Sequence, residues 1–157
     1  MSDQDSSDFY DRILKGEMAQ QAAVFSRLVE RFGPGVLEEV QQVIIEQARQ
    51  RLAQADLPDR DLDAVLELLW NQAGDQLEFE MLEHSPRRIR MKVTGCVYAN
   101  EMRRMGAAEV GYAFYCAYDF GFCQGLNPHL HFSRTKTLML GDDHCDHTYE
   151  LEESLPE

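Results

Sequence analysis

The chain has 157 residues, with 15 Lys+Arg against 28 Asp+Glu and a formal net charge of −13. That length fits one domain, able to bury about 70% of its unfolded surface without a metal or a disulfide, and 44% hydrophobic residues exclude a wholly disordered chain. The acidity argues against non-specific binding to nucleic acid or to an anionic membrane surface.

Residues 1–7 read as a disordered lead-in. The opening MSDQDSSD is acidic and polar, unlike a secretory signal, and no apolar run reaches the ~18 residues of a membrane span. A cytoplasmic setting is expected, in which Cys96, Cys116, Cys123 and Cys145 stay reduced. They form no CxxC pair, which speaks against a zinc ribbon or a thioredoxin-like site.

From Asp8 to Phe32 the apolar residues fall at helical spacing, and Gly33-Pro34-Gly35 breaks the pattern. Pro34 suits the start of a second helix, which stops near Asp56-Leu57-Pro58. A third is predicted over Asp61–Ala73, ended by Gly74. The period then becomes two. Leu77, Phe79 and Met81 alternate with Glu78 and Glu80, and Ile89, Met91 and Val93 with Arg88, Arg90 and Lys92. This is a hairpin whose outer face sets acids against bases, a solvated face rather than a phosphate site. Helices follow over Cys96–Met105 and Ala107–Cys123, the region ending at Asn127-Pro128. His129–Thr137 and His144–Leu151 alternate again as a second hairpin, and Glu152–Glu157 is an acidic, frayed tail. The expected fold is α+β. N-terminal helices precede a four-stranded antiparallel sheet packed on helices, in a single domain over 8–151 whose part 75–151 carries the site.

The N-terminal half offers only core and surface. Cys116, Asp119 and Cys123 share one helical face with apolar neighbours, and a carboxylate there is costly unless paired or protonated. Asp119 is therefore either functional or rotated to the rim. Cys145 and His147 share one strand face, where they can ligate a metal, pair a thiol with a base, or fill the core. Cys96 lies at a helix N-terminus, which lowers a thiol pKa, or else fills the core. Arg134 alternates inward and wants a carboxylate, from a ligand or from Asp119. His129, His131 and His144 lie on the opposite faces of their strands, as a solvated cluster rather than a metal site.

The runs Thr94-Gly95-Cys96-Val97-Tyr98-Ala99, Cys116-Ala117-Tyr118-Asp119, Gly125-Leu126-Asn127-Pro128, Ser133-Arg134-Thr135-Lys136-Thr137-Leu138-Met139 and Gly141-Asp142-Asp143-His144-Cys145-Asp146 carry a resemblance. Together they resemble the L-2-amino-thiazoline-4-carboxylic acid hydrolase family over about residues 89–150. The resemblance implies opening of a cyclic amidine-like ring by water to give a carbamoyl-cysteine. Cys96, Cys116, Asp119, Arg134, His144, Cys145 and Asp146 match its pattern. His147 and Thr148 depart from it, standing where the family carries an aromatic and a basic residue. The final hairpin is also similar to that of 4-vinyl-reductase-type small-molecule-binding domains, which include non-catalytic sensors.

The expected function is hydrolysis of a C–N bond in a small cyclic amidine or amide. Cys96 or Cys145 is the nucleophile, Asp119 the base or the orienter of the substrate's amino group, and Arg134 the clamp for a carboxylate. Cys116 and His144 complete the substrate site. A metal version sets Asp119, Cys145 and His147 around one divalent ion such as zinc. The alternative is a non-catalytic pocket that binds or senses a small molecule or a metal. A second copy docking through the N-terminal helices is the remaining partner considered.

Overall fold

The computed structural model describes residues 3–153. Helix α1 (Asp3–Phe32) starts five residues earlier than the periodicity suggests. Residues 3–7 of the expected lead-in are therefore helical, and Asp3 and Asp5 sit in the first turn, where negative charge is favourable. Gly33 ends α1 at φ +91°, a left-handed conformation that suits glycine, and its N–H donates to Val29 O at 2.8 Å. Helix α2 (Gly35–Gln54) follows. Helix α3 (Leu62–Val65), capped by the Asp61 carboxylate on Ala64 N, runs on as a π turn over Leu66–Trp70, three residues short of the expected Ala73.

Strands β1 (Leu77–His84) and β2 (Arg88–Cys96) form the first hairpin. Helix α4 (Val97–Arg104) comes next. The helix expected over Ala107–Cys123 is three pieces: α5 (Ala108–Gly111), a π turn over Tyr112–Cys116, and α6 (Tyr118–Leu126). Strand β3 (Leu130–Ser133) is shorter than predicted, and β4 (Cys145–Leu151) closes the sheet. The shortening has a cause. The Asp146 carboxylate accepts from the N–H groups of Thr135, at 2.8 Å, and Lys136, at 2.6 Å, and so draws residues 134–137 out of the ladder.

The sheet is antiparallel in the order β1-β2-β4-β3. The register sets Ile89, Met91 and Val93 opposite Tyr149, His147 and Cys145, all buried on the inner face. Outside, Arg88 meets Glu150 with Nε–O at 2.7 Å, and Lys92 faces both Glu80 and Asp146. The basic cluster is thus the solvated face the alternation predicts. The helices lie on the inner side.

Helix α6 is pressed onto α2 through two glycines. A Cβ on Gly121 would stand 2.1 Å from Ile45 O, and one on Gly125 2.2 Å from Arg49 O. Arg60 ties both helix ends together. It donates to Leu52 O (2.9 Å), Leu126 O (3.0 Å) and Ala55 O (2.6 Å), so one guanidinium covers the unpaired carbonyls of two C-termini. One apolar cluster lies between the sheet and α2, α3 and α6, and a second joins α1, α2, α4 and α5. Among the described residues no helix is long and apolar enough to cross a membrane.

Candidate functional site

A cavity of about 500 Å³ opens at the seam between the two apolar clusters. Two π turns supply much of its wall, Leu68–Trp70 from the first and Phe114–Cys116 from the second. Each closes by a five-residue hydrogen bond, Asn71 N to Leu66 O at 2.8 Å and Ala117 N to Tyr112 O at 2.9 Å. A π turn inserts one residue into the helical period and so re-aims the side chains beyond it. Here the second insertion precedes Asp119.

Cys96, Cys116, Asp119, Arg134, Cys145 and His147 all line this cavity. Arg134 Nη1 donates to Asp119 Oδ2 at 2.9 Å, and Nη2 donates to Cys116 O at 3.0 Å. The rings of Tyr112, Phe120 and Phe132 surround the guanidinium at 5.6, 5.6 and 5.3 Å. Burial raises the Asp119 carboxyl to about 6, against the pull of Arg134 toward lower values. Burial opposes the charge of Arg134, yet Asp119 raises its pKa above the ordinary value, so the guanidinium stays cationic.

The expected clamp is therefore corrected. Arg134 is already closed by its own partner, with its side chain only 3% exposed. The lowered thiol at Cys96 is corrected too. Burial raises its pKa and outweighs the nearby Ala99 and Tyr98 N–H groups. Burial likewise raises Cys145 and lifts Cys116 to about 12. The Thr137 hydroxyl stands 4.0 Å from Cys116 Sγ and 3.9 Å from Cys145 Sγ, and Leu138 N donates to Cys145 Sγ at 3.2 Å. All three cavity thiols are neutral at pH 7.

His147 is held by the Tyr149 hydroxyl at 3.2 Å from Nδ1, and burial lowers its pKa to about 3. Its Nδ1 lies 4.0 Å from Asp119 Oδ2, the oxygen bonded to Arg134. The metal set of Asp119, Cys145 and His147 does not come together as ligands. Among the described residues no three His, Cys, Asp or Glu side chains come together in a way that could hold an ion. His144 is not in the wall; it pairs with Asp143 Oδ1 at 2.7 Å on the turn before β4. Nor do the three expected surface histidines cluster. His131 meets Glu152 at 2.6 Å with His129 3.5 Å from the same carboxylate, and His144 stands apart from them.

The sequence reading missed the opposite wall. Leu68, Trp70 and Gln72 come from the helical part before residue 75, which that reading reduced to core and surface, and Gln76 and Leu77 from the start of the part expected to carry the site. Tyr98, Phe114 and Tyr115 complete it. Their spacing matches that of ordinary core residues; the lone tryptophan was the one available signal.

Residues 11–149 match the family described as L-2-amino-thiazoline-4-carboxylic acid hydrolase. The chain belongs to that family. The match extends well before residue 89, where the resemblance began, so the helical half is part of the family's fold. The motifs of the L-2-amino-thiazoline-4-carboxylic acid hydrolase family also acquire structural meaning. The Asp146 carboxylate holds the Thr135 and Lys136 N–H groups that follow Arg134 in the chain, and Gly125-Leu126-Asn127 meets Arg60, with Asn127 Nδ2 donating to Arg60 O at 2.9 Å. The family assignment supports a hydrolase-like activity at family level. No curated protein matches this chain. Among solved structures, trafficking protein particle complex subunit 3 from Naegleria fowleri, covalently bound to palmitic acid, has a TM-score of 0.53 at 8% identity, covering 91% of this chain and 97% of that one. That likeness is one of fold.

Proposed function

We propose that this member hydrolyses a C–N bond of a small cyclic amidine or amide inside the cavity. The observation that carries the reading is Asp119, a carboxylate anchored by Arg134 in the cavity wall, in a chain of this family. Asp119 Oδ2 is taken by Arg134, and among the described residues Oδ1 has no donor. Oδ1 is then available to a water. With a pKa of about 6, the carboxyl is mostly ionised at neutral pH yet basic enough to take a proton.

In this reading the water oxygen bonds to the ring carbon as Asp119 takes one of its protons. The ring C–N bond then breaks, and the proton passes to the departing nitrogen. The balance is one water added and one ring opened. The three neutral thiols serve as cavity wall, since a thiolate would have to form against burial. The test is a panel of cyclic amidines and amides incubated with purified protein, with ring-opened product read by mass spectrometry. Turnover is expected, and Asp119→Asn lowers it by about 10²–10⁴-fold. A panel that yields no product, or an unimpaired Asp119→Asn, would count against it.

A non-catalytic pocket for an apolar molecule is the second reading. Its support is the aromatic wall of Trp70, Tyr98, Phe114 and Tyr115, and the palmitic acid carried by the Naegleria subunit of similar fold. Saturable binding without product selects it.

A further inference from the structure

We infer that His147 is a second catalytic residue of the cavity. Its Nε2–H donates to the heteroatom doubly bonded to the carbon that water attacks, the oxygen of a cyclic amide or the imine nitrogen of a neutral cyclic amidine. The inference rests on the hydrolase reading and adds to the same site the group that meets the charge displaced by the water.

The tautomer of His147 follows from counting donors around Tyr149. That side chain is fully buried, and its hydroxyl has one hydrogen to place. Two groups face the hydroxyl. His147 Nδ1 stands at 3.2 Å, and the Trp70 indole N–H comes close enough to lower the Tyr149 pKa against burial, though it makes no full hydrogen bond. An indole N–H can only donate. It therefore faces the lone pairs of the Tyr149 oxygen and turns the hydroxyl hydrogen toward Nδ1. A hydrogen on Nδ1 would leave the hydroxyl hydrogen buried with no acceptor, the costly case for a donor. Nδ1 thus accepts, and the neutral ring carries its hydrogen on Nε2.

Nε2 is the free end of the ring. Among the described residues it has no hydrogen-bond partner, and the one polar side-chain atom sealed in packing without a partner is Trp70 Nε1. Nε2 is therefore reachable, and since His147 is otherwise buried, the surface it leaves open is cavity wall. Neighbouring rings fix its orientation, Trp70 edge-on at 5.1 Å and Phe132 at 5.4 Å. A donor held in place this way needs no reorganisation as charge develops.

Its place suits the reaction. Nδ1 lies 4.0 Å from Asp119 Oδ2, so the two groups border the same part of the cavity. As the water oxygen bonds to the ring carbon, the electron pair of the double bond moves onto the heteroatom, where Nε2–H meets it. The hydrogen stays on Nε2, and no bond to His147 forms or breaks. Burial, with Arg134 nearby, lowers the pKa to about 3, so the ring works uncharged. A neutral imidazole can polarise a carbonyl by such a bond.

Nitrogen NMR of the labelled full chain reads the tautomer without substrate. A protonated Nε2 and a bare Nδ1 are expected, and a hydrogen on Nδ1 overturns the inference. The Nε2–H resonance is then followed as 2-amino-thiazoline-4-carboxylic acid or pyrrolidone is added, and it should move with at least one of them. His147→Phe and His147→Gln are compared on the panel compound that wild type opens fastest. Phe keeps a flat ring without the N–H, and Gln restores an N–H donor of similar reach. His147→Phe should lower kcat by about 10²–10³-fold with KM changed by less than about threefold, and Gln should recover at least about tenfold of that loss. Because Phe strands the Tyr149 hydroxyl, the double variant His147→Phe/Tyr149→Phe, which removes both ends of the bond, is measured beside it. An unchanged kcat in either Phe variant, or Gln as slow as Phe, overturns the inference and leaves the hydrolase reading standing. No product from any panel compound overturns the hydrolase reading. An Nε2–H resonance that still moves with either probe then keeps His147 as the donor of the cavity, and one that moves with neither removes both.

Discussion

Asp119 and His147 lie 4.0 Å apart, and burial drives their protonation in opposite senses. Asp119 is raised to about 6, so its contribution to stability is present below its unfolded value and is lost as pH rises through about 6. His147 is lowered to about 3, so the unfolded chain binds the proton first. Its contribution is present above the unfolded value near 6.5 and is lost as pH falls toward 3. Between about pH 4 and 6 the two oppose each other. His147→Asn removes only the acid-side loss. Its urea midpoint should therefore fall less between pH 7 and pH 5 than that of the wild type; an equal or larger fall would show that His147 titrates normally. At this scale much was legible. An acid on an apolar helix face and an arginine alternating inward announce a buried pair, and the pair exists. The free clamp was not legible, because alternation says which way a side chain points and nothing of whether its partner is already supplied. The same limit misplaced His144, whose neighbour Asp143 takes it at the turn.

The elements position that pair through contacts no periodicity displays. Gly121 and Gly125 bring α6 against the α2 backbone, and Asp119 lies two residues before the first of them. Gly121→Ala places a Cβ against Ile45 O, a backbone atom that cannot swing aside as a side chain tip can. Overpacking of this kind costs about 1–3 kcal/mol. A lowered urea midpoint together with lowered turnover is expected, and a variant as stable as wild type would mean that α6 does not ride this close to α2. The hairpin of β1 and β2 was legible because charge and hydrophobicity alternate through Leu77–Met81 and Arg88–Val93; the two register shifts, at Glu78/Phe79 and at Met81/Glu83, were not. The two π turns were not. Tyr112–Cys116 and Leu66–Trp70 use good helix-forming and aromatic residues, and one extra residue in a turn leaves no mark in a run that is apolar on several sides. The true length of β3 depends on Asp146, eleven residues beyond the N–H of Thr135 that it captures.

For the whole molecule, the α+β architecture followed from the order of periods, helical first and then alternating. The position of the cavity did not, since it forms where two apolar clusters fail to close on each other. Residues from the first π turn to β4 meet there, and its apolar members read one by one as core. The solved structure of similar fold at 8% identity shows how little of the fold resides in particular side chains. What gives the cavity its chemistry is the charged pair set into the wall, with thiols and rings around it.

The initial rate of ring opening across pH, on whichever cyclic amidine or amide the panel selects, tests the central claim most directly. A rate that climbs through about pH 6 to a plateau, with the limb gone in Asp119→Asn, is the result the buried carboxylate predicts. A limb that rises only in the alkaline range and vanishes in Cys96→Ala or Cys145→Ala would hand the chemistry to a thiol and contradict it.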